Sequence, residues 1–557
     1  MSGVTTYSAC SQPAEIQPAA WRNPIVHCLP SLTDLVVLLP FVFALASGEG
    51  LSLLTRDSDT GWHLRTGEWI LQQGRVPVAD MFSFTKGGQP WFAWEWLWDA
   101  AFGWLHLQAG LAAVALVALA VIGLAFAVTY RTALRRCNHV LLLFGLTVLG
   151  VFTSAVHWHA RPHLFTFLFT AVFCAVLDRV RDGRTRLLWL LPPLMVLWTN
   201  IHGAFLVGLI LLGALAVGEF CGWLADDDSL WAARRLRNGG LYLLTAAGCV
   251  AATLVNPYGY QLHTHIWRYL FVENHSGLVE EFQSLSFHGL EGILFAALLS
   301  LAVLAMGWHF SRKEFGGGFL LLGWSWLALY SARNIPLLAL VAIPWIGQAV
   351  QEFIATAGVA AFSNRIRRPW IAFLELEAEI GAMERHWRLY LTSLACAGLL
   401  IALAYAPNPP ARLRAQFSSK LYPVAAVEQY LASLPAPRIF AHDQWGGYLI
   451  YRLYPRLRVF TDGRSDFYGP VFIKDWVGIR DGAYDWQERL DKYSIDTVLL
   501  PVRASLSSTL KASGRWTAAF DDGTAIVFRR SSELQSTVPV AFDAAGTIVA
   551  NSAMNTR

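Results

Sequence analysis

The chain has 557 residues, of which 55% are hydrophobic and only 15% charged, and its mean hydropathy is +0.42. Soluble globular proteins carry about 25% charged residues, so this composition excludes an ordinary soluble enzyme and indicates a polytopic membrane protein. The formal net charge of +4 is small, and the basic residues form short clusters between apolar runs, so no nucleic acid is expected as a partner. The seven cysteines lack CxxC spacing and predict neither a metal site nor a disulfide framework.

The N-terminal segment, residues 1–31, is polar and lacks the pattern of a cleaved signal peptide, so we predict that it is cytoplasmic. Apolar runs then alternate with polar connections over residues 32–406, which we interpret as the transmembrane domain. A membrane-spanning helix needs about 20 apolar residues. The pattern predicts about eleven spans, near residues 32–50, 109–130, 139–156, 163–178, 187–200, 203–223, 240–255, 291–309, 318–331, 335–355 and 388–406.

Basic residues support this topology, because the cytoplasmic connections of membrane proteins are enriched in Lys and Arg. If the N-terminus is cytoplasmic, every basic cluster falls in a cytoplasmic connection. The clusters lie in residues 131–138, 179–186, 224–239, 310–317 and 356–387. The long loop 51–108 and everything after residue 407 then lie outside the cytoplasm.

The outer loop 51–108 is rich in tryptophan, a residue that favours the headgroup layer of a bilayer. Its tryptophans are Trp62, Trp69, Trp91, Trp94, Trp96, Trp98 and Trp104. Helical spacing over residues 60–73 and 91–106 predicts two helices that lie on the outer membrane surface. We interpret most of these tryptophans as interfacial anchors, and a minority as a platform for sugar stacking.

Residues 407–530 have the pattern of a small extracytoplasmic α/β domain, and residues 531–557 have the composition of a disordered tail. The strands of the domain are predicted at residues 438–441, 457–461, 497–500 and 524–528. Its helices are predicted at residues 423–434, 448–453, 472–479 and 486–493. The complete fold class is therefore mainly α, with a helical membrane domain and a small C-terminal α/β domain.

Charged residues near a membrane are costly, and several stand at the predicted outer ends of helices. Asp57 and Asp59 directly follow the first span, with His63 one helical turn later. Two carboxylates at this place suit a base and its orienting partner, or a divalent cation such as Mg²⁺ or Mn²⁺. A helix cap is the structural alternative. Arg161, in the turn that leads to His163, suits an anion clamp because a guanidinium matches phosphate oxygens.

Further polar residues interrupt the apolar pattern at other outer helix ends. Asn200, His202, Asn256 and Arg333 lie in such short connections. Turn formation explains the asparagines about as well as binding does, but a turn requires neither His202 nor Arg333.

One loop of the C-terminal domain also carries polar residues. Asp462, Arg464 and Asp466 follow a predicted strand, where α/β folds place ligands, although Asp-Gly is also an ordinary turn.

With Asp57-Ser58-Asp59 directly after its first predicted span, the chain resembles the GT-C superfamily of polytopic glycosyltransferases. This superfamily includes protein O-mannosyltransferases, lipid A aminoarabinose transferases and oligosaccharyltransferase catalytic subunits. The shared plan is a first span, an acidic outer loop with surface helices, further spans and an outer C-terminal domain. The whole chain is similar to bacterial GT-C-like proteins of poorly defined function, through the segments D-x-D-x-G-W-H-L-x-x-G, P-W-x-x-x-E-W-L, A-R-P-H, W-x-N-x-H-G, N-P-Y-G, A-R-N-I-P-L and V-F-x-D-G-R-x-D-x-Y-G.

The resemblance implies an enzyme of a bacterial inner membrane that uses a polyprenyl-phosphate-type sugar donor at the outer face. The acceptor would be a hydroxyl group of a lipid, a glycan or a protein. In the implied inverting displacement, Asp57 is the base, Asp59 supports it or binds a metal, and Arg161 and Arg333 hold the phosphate. The implied pocket residues are His63, Glu95, His163, Asn200, His202 and Asn256.

Two other functions stay open. A transporter or flippase for a lipid-linked sugar places its polar site near the bilayer midplane, often between internal repeats. Here the polar groups stand at one end of the helices, and no repeat is visible in the sequence. A non-catalytic envelope-assembly protein is the second alternative, but it would not explain why Asp57 and Asp59 are present. The glycosyltransferase hypothesis predicts that Asp57, Asp59, Arg161 and Arg333 converge on one cavity.

Overall fold

The computed structural model describes residues 28–272, 282–357, 364–385, 389–435 and 437–531. The predicted cytoplasmic segment 1–31 and the predicted tail 531–557 lie almost wholly outside these ranges. Within them the chain is mainly helical, with one small sheet near the C-terminus. The predicted fold class is confirmed at this level.

Each of the predicted apolar runs contains an α-helix. The helices of the apolar part are α1 (Leu32–Ala46), α2 (Asp59–Gln73), α3 (Trp96–Ala133), α4 (Val140–Ser154), α5 (His163–Arg181), α6 (Leu191–Ile201), α7 (Leu206–Ala225), α8 (Ser229–Ala252), α9 (Tyr260–Trp267), α10 (Leu290–Ser311), α11 (Phe315–Tyr330), α12 (Ile335–Ala357), α13 (Asn364–Arg385) and α14 (Leu391–Ala404).

In the part of the chain that the structure describes, six stretches of helix are long and apolar enough to cross a bilayer, and they include α3, α4, α5, α7, α10 and α12. Three shorter apolar helices, α1, α11 and α14, have 14 to 16 residues each. Such a set of helices is that of a multi-pass membrane protein. The number of eleven spans stays a prediction.

The first span is fixed at its beginning by a network of hydrogen bonds. Ser31 and Asp34 form a capping box, in which each side chain accepts from the backbone N–H of the other residue. Glu384 of α13 accepts from the backbone N–H groups of Leu32 and Thr33, and Ser393 of α14 donates to Asp34. These bonds tie the start of α1 to α13 and α14.

The predicted surface helix 91–106 is not a separate element. Helix α3 begins at Trp96 and continues through the predicted second span to Ala133. Its regular backbone is broken at Gly110, where φ is +70°, a conformation that favours glycine over residues with a side chain. The outer loop is therefore joined to the membrane domain through one bent helix.

Helix α2 lies between α3 and the C-terminal domain, and most of its side chains are buried. Trp62, Trp91 and Trp98 are 6%, 4% and 2% exposed, so the prediction that such tryptophans anchor the loop in the headgroup layer is wrong for these three. Trp104, at 56% exposure, remains compatible with that role. A tryptophan packed among other side chains removes a large apolar area from water. This burial favours the protein interior over the headgroup layer for these three residues.

The C-terminal domain contains helices and a four-stranded sheet in the order β1-β2-β4-β3. Its strands are β1 (Ile439–Ala441), β2 (Thr497–Pro501), β3 (Trp516–Asp521) and β4 (Ala525–Arg530). Its helices are α15 (Asp443–Leu453), α16 (Ser465–Arg480), α17 (Trp486–Lys492) and α18 (Ser505–Ala512). Strands β1 and β2 pair in parallel, and β4 pairs antiparallel with both β2 and β3.

Three details of this domain differ from the prediction. Residues 457–461 do not join the sheet, because Val459 forms only a single bridge with Ser83 of the outer loop. Strand β3 was not predicted, since it alternates less clearly and is mostly exposed on one side. The predicted helix 423–434 is a short irregular helical segment that includes residues 426–433.

The outer loop contributes to the core of the C-terminal domain. Trp62, Phe82 and Trp91 of the loop pack in one hydrophobic cluster with Tyr448 and Leu499 of the domain. A second cluster covers the opposite side of the sheet, and a third fills the membrane domain. The loop therefore acts as the layer that joins the two domains.

Candidate functional site

One arginine binds both of the aspartates that follow the first span. Arg161 Nη1 donates to Asp57 Oδ2 at 2.5 Å, and Arg161 Nη2 lies 3.1 Å from Asp59 Oδ2. The three side chains are 21%, 19% and 10% exposed, so the cluster is shielded but reachable. The predicted convergence of Asp57, Asp59 and Arg161 is present in the structure.

Local backbone contacts bring these residues together. The Ala160 N–H donates to the Leu54 carbonyl, and the Thr60 hydroxyl donates to the Ala160 carbonyl. These bonds hold the turn before α5 against the start of α2. Asp57 Oδ1 also accepts the Asp59 N–H, so this aspartate satisfies one free donor of the helix start. Asp57 therefore caps the start of α2 through Oδ1, as the structural alternative predicts, and binds Arg161 through Oδ2.

The C-terminal domain closes over Asp59. A side chain at Gly463 would place its Cβ 1.9 Å from Asp59 Oδ1, so only glycine allows this approach. Gly447 of α15 approaches the Ser58 carbonyl in the same way, with a would-be Cβ at 2.2 Å. The site is therefore formed between the outer loop, the membrane domain and the C-terminal domain.

Glu95 lies between two histidines from different helices. Glu95 Oε2 is 3.5 Å from His63 Nε2, and Glu95 Oε1 is 3.5 Å from His202 Nε2. The remaining ring nitrogen of each histidine has its own partner, since His63 Nδ1 lies 2.6 Å from Asp99 Oδ1 and His202 Nδ1 lies 2.8 Å from Thr166 Oγ1. The three predicted pocket residues His63, Glu95 and His202 therefore form one connected group.

The Glu95 carboxyl group has a pKa well above its ordinary value. Burial raises its pKa from the ordinary value of 4.5 to about 8, and the charge of Arg161 opposes this rise. Asp466 and Asp59 raise the pKa further, and Arg333 lowers it. These charges show that the Glu95 group and the Asp57–Arg161–Asp59 cluster belong to one electrostatic site.

Arg333 approaches this site without joining the salt-bridge cluster. It lies on a single helical turn between α11 and α12, which packs against the turn at residues 155–157. Its guanidinium lies 4.9 Å from the ring centre of Phe282, and within the described ranges no carboxylate lies at ion-pair distance from it. The prediction that Arg333 shares a cavity with the aspartates is therefore supported only through its charge on Glu95.

Two residues of the C-terminal loop have structural roles. The buried guanidinium of Arg464 contacts both oxygens of Asp462, at 2.8 and 2.7 Å, and Asp80 Oδ1 at 2.8 Å. The rings of Trp91 and Phe467 enclose it at about 5 Å. This buried triad joins the outer loop to the domain, which argues against a ligand-binding role for Asp462 and Arg464.

Asp466, in contrast, faces the site region. Its Oδ2 lies 3.0 Å from His265 Nε2 of α9, and its charge acts on Glu95. The ring of His265 stacks on Phe92 and lies edge-on to Trp94, at 4.6 and 5.1 Å between centres. Phe92 and Trp94 thus place two aromatic rings of loop 51–108 beside the Asp466–His265 pair.

Three other predicted pocket residues are engaged in packing. Asn200 accepts from the Trp96 indole and donates to two carbonyls, including that of Val255. Asn256 bonds only within its own turn, as the structural alternative predicts. His163 Nε2 bonds to the carbonyl of His157. None of the three contacts Glu95 or the aspartates through the hydrogen bonds seen in the described residues.

The sequence leaves a divalent cation at Asp57 and Asp59 open as an alternative. Within the described residues, no group of three His, Cys, Asp or Glu side chains is arranged to hold a metal ion. The two aspartates already share the positive charge of Arg161. A cation at this place would have to replace the guanidinium.

Sequence reasoning missed several members of the site. Asp99 and Thr166 orient the two histidines, and His265 binds Asp466. Asp99 follows Glu95 by four residues at the start of a helix, and this acidic spacing was a usable signal. The signal for Thr166 was absent, because a threonine in an apolar helix is ordinary.

The described fold is shared with an archaeal enzyme. Its solved structures include the oligosaccharyltransferase of Archaeoglobus fulgidus tethered with an acceptor peptide that contains the NVT sequon. The likeness has a TM-score of 0.51 and 11% sequence identity, over 90% of this chain and 73% of that chain. Oligosaccharyltransferases are members of the GT-C superfamily.

The fold of this chain is therefore similar to that of an enzyme of the GT-C superfamily. A second structure, the A. fulgidus oligosaccharyltransferase AglB with an inhibitory peptide and a dolichol-phosphate, has a TM-score of 0.49 and 11% identity over 91% of this chain and 74% of that chain. No protein-family model and no curated protein sequence matches the chain. The GT-C resemblance predicted from the sequence is thus confirmed at the level of the fold.

Proposed function

We propose that the protein is a membrane glycosyltransferase that moves a sugar from a polyprenyl-phosphate-type donor to a hydroxyl group of an acceptor. The observation that carries this proposal is the Asp57–Arg161–Asp59 cluster at the start of α2 in a GT-C fold. The archaeal neighbours of this fold are oligosaccharyltransferases, and one was solved with a dolichol-phosphate. In the proposal, the site faces the periplasm of a bacterial cell.

Arg161 is the proposed binding residue for the donor phosphate. A guanidinium binds phosphate oxygens through two parallel hydrogen bonds, and Asp57 and Asp59 lie against the same two nitrogens of Arg161. A phosphate that binds Arg161 would compete with Asp57 and release its Oδ2. Donor binding would then uncover the base, which is a direct consequence of the observed pairing.

Apolar side chains of α3 and α5 adjoin Arg161, among them Trp98, Phe102, Leu164 and Phe165. A guanidinium beside apolar side chains suits the phosphate of a lipid-linked donor.

The proposed reaction is an inverting displacement at the anomeric carbon. The acceptor oxygen forms a bond to this carbon, the bond from carbon to phosphate oxygen breaks, and the acceptor proton moves to Asp57. Asp59, which also binds Arg161, holds the guanidinium in place.

The decisive experiment measures transfer by the purified full-length protein in vesicles with a panel of radiolabelled polyprenyl-phosphate sugars. We expect Asp57→Asn to lower the rate about 10²- to 10⁴-fold, because it removes proton transfer and keeps the shape of the side chain. The matched control is Asp481→Asn, since Asp481 is exposed in the C-terminal domain and pairs only with its neighbour Arg480 among described contacts.

Arg161 is tested by its effect on the donor. Arg161→Lys retains the charge but loses the fork, so we expect KM for the donor to rise about tenfold, in line with the loss of one charge-assisted hydrogen bond. Full activity of Asp57→Asn would remove Asp57 as the base. Movement of labelled lipid across the bilayer without any sugar transfer would favour the transporter hypothesis instead.

A further inference from the structure

We infer that Glu95 is the residue that donates a proton to the departing donor phosphate, and that His63 and His202 position its carboxyl group. This inference rests on the proposed function, because it assigns the group that acts on the leaving side of that reaction. The reaction then has an acid, Glu95, in addition to the proposed base Asp57. Glu95 is thereby assigned a chemical role and not only a place in the pocket.

The Glu95 carboxyl group lies between two histidines and is partly exposed. Glu95 directly precedes α3, and its side chain is 12% exposed. His63 from α2 and His202 from the end of α6 stand on either side, each with Nε2 at 3.5 Å from one carboxyl oxygen. This distance exceeds that of a good hydrogen bond, so both contacts can shorten when Glu95 becomes an anion.

The hydrogen-bond network assigns the proton of His202. Trp198 Nε1 donates to Thr166 Oγ1 at 2.9 Å, and an indole N–H can only donate. The hydroxyl hydrogen of Thr166 is therefore available for His202 Nδ1 at 2.8 Å. With Nδ1 as an acceptor, His202 carries its hydrogen on Nε2, directed towards Glu95 Oε1. Such a donor stabilises the carboxylate that remains after Glu95 has lost its proton.

His63 is oriented from the other side. Its Nδ1 lies 2.6 Å from Asp99 Oδ1, and both side chains are 1% exposed. Burial holds the pKa of His63 well below its usual value, and the positive charges of Arg161, His202 and Arg464 act in the same direction. A neutral imidazole leaves Glu95 without a fixed positive neighbour at hydrogen-bond distance, which favours the carboxylic acid over the carboxylate.

The surrounding charges complete this picture. The charged and titratable groups that face Glu95 are His63, Asp99, Asp59, Arg161, His202, Arg333 and Asp466. Burial outweighs the two arginines and raises the pKa of Glu95 to about 8. Asp57 has different surroundings, because its Oδ1 accepts the Asp59 N–H and its Oδ2 accepts from Arg161. Different environments for two carboxyl groups are the usual basis of an acid and base pair.

The proposed step is balanced in protons. As the bond from the anomeric carbon to the phosphate oxygen breaks, the Glu95 proton moves to that phosphate group. The acceptor proton moves to Asp57 in the same event, so Asp57 ends protonated and Glu95 ends as a carboxylate. Release of the polyprenyl phosphate and exchange with water then restore both groups. Arg161 binds the phosphate throughout.

The first test is the pH dependence of transfer by the full chain in vesicles. An acid must be protonated to act, so the wild-type rate should be level near pH 7 and fall as the pH rises above about 8. Glu95→Gln should lower kcat about 10²-fold, leave the donor KM within about threefold, and lack this alkaline fall. A Glu95→Gln variant that keeps the wild-type pH profile would overturn the inference.

The second test needs no transferase activity. Infrared titration of the protein should show a protonated carboxyl band that disappears between pH 7 and 9, and Glu95→Gln should lack it. Glu68→Gln is the matched control, because Glu68 is a buried carboxylate whose pKa is lowered and which binds Arg65 and His106. Presence of the band without sugar transfer would reject the proposed function, whereas transfer without the band would reject only the role of Glu95.

The positioning role of His202 is tested through Thr166. Thr166→Val removes the hydroxyl group at constant shape, so kcat should fall about tenfold and the alkaline limb should shift, while Thr166→Ser should restore both. A purely structural role of Thr166 would change stability without moving the alkaline limb. That result would remove His202 from the assignment.

Discussion

Arg161 and Arg464 each bind a pair of aspartates, but the two arginines differ in solvent exposure. Arg161 is 21% exposed and pairs with carboxylates that are 19% and 10% exposed, so a ligand can compete for it. Arg464 and its partners Asp80 and Asp462 are at most 1% exposed. Burial, more than the type of residue, thus separates a binding arginine from a structural one.

Arg464→Met should destabilise the protein strongly. Removal of the guanidinium leaves two buried carboxylates, Asp80 and Asp462, without a positive partner, which costs about 3–5 kcal/mol. Thermal unfolding of the purified protein measures this loss. In the control Arg452→Met, a pair with Glu428 that is half exposed is broken, and the expected loss is at most about 1 kcal/mol. Equal losses in the two variants would contradict the structural role of Arg464.

Helix α2 is the element on which the site depends. Its first turn carries Asp59, its second turn carries His63, and it packs between α3 and α15. Glycines permit these close contacts, since a Cβ at Gly61 would lie 2.4 Å from the Gly447 carbonyl. The position of the C-terminal domain is therefore coupled to the position of the acidic residues.

Gly447→Ala should separate α15 from α2. Its Cβ would lie 2.2 Å from the Ser58 carbonyl, and backbone at this distance cannot move aside without a shift of the helix, at a cost of about 1–3 kcal/mol. We expect a lower Tm and faster proteolysis of the C-terminal domain. Gly48→Ala is the control, because no atom lies within 4 Å of its added Cβ. An unchanged proteolysis rate in Gly447→Ala would argue against this coupling.

At the scale of the whole molecule, charged residues divide between the two ends of the helices. At one end lie the site residues and the C-terminal domain. At the other, Arg135 and Arg136 bind Asp178 and Asp182 in a network that joins the ends of α3 and α5. This division is the structural counterpart of the basic clusters in the sequence, and it predicts that the second end is cytoplasmic.

Cysteine labelling in intact cells tests this orientation. In a variant without native cysteines, Tyr484→Cys in the fully exposed part of the C-terminal domain should react with an impermeant maleimide after the outer membrane is opened. Arg184→Cys, in the connection after α5, should react only once the inner membrane is also permeabilised. The reverse pattern would invert the proposed topology and place the site in the cytoplasm.

The positions of the helices were predictable, because a long apolar run has few alternatives in a membrane. The roles of single polar residues were less so. The structure brings Asp57, Asp59 and Arg161 into contact, and their roles stay predictions. The side chains of Asn200 and Asn256 bind within packing contacts and turns. Short polar motifs of both kinds look alike in sequence, since the partner that decides their role is distant in the chain.

The sequence by itself determined the membrane class, the helical plan, the small C-terminal α/β domain and the concentration of unusual polar residues at one end of the helices. These follow from composition and periodicity, which are local properties. Only the tertiary structure decided that His63 and His202 enclose Glu95, that Asp99 and Thr166 orient them, and that Arg464 is structural. Burial and long-range pairing set the protonation and availability of each group, and neither is encoded in local spacing.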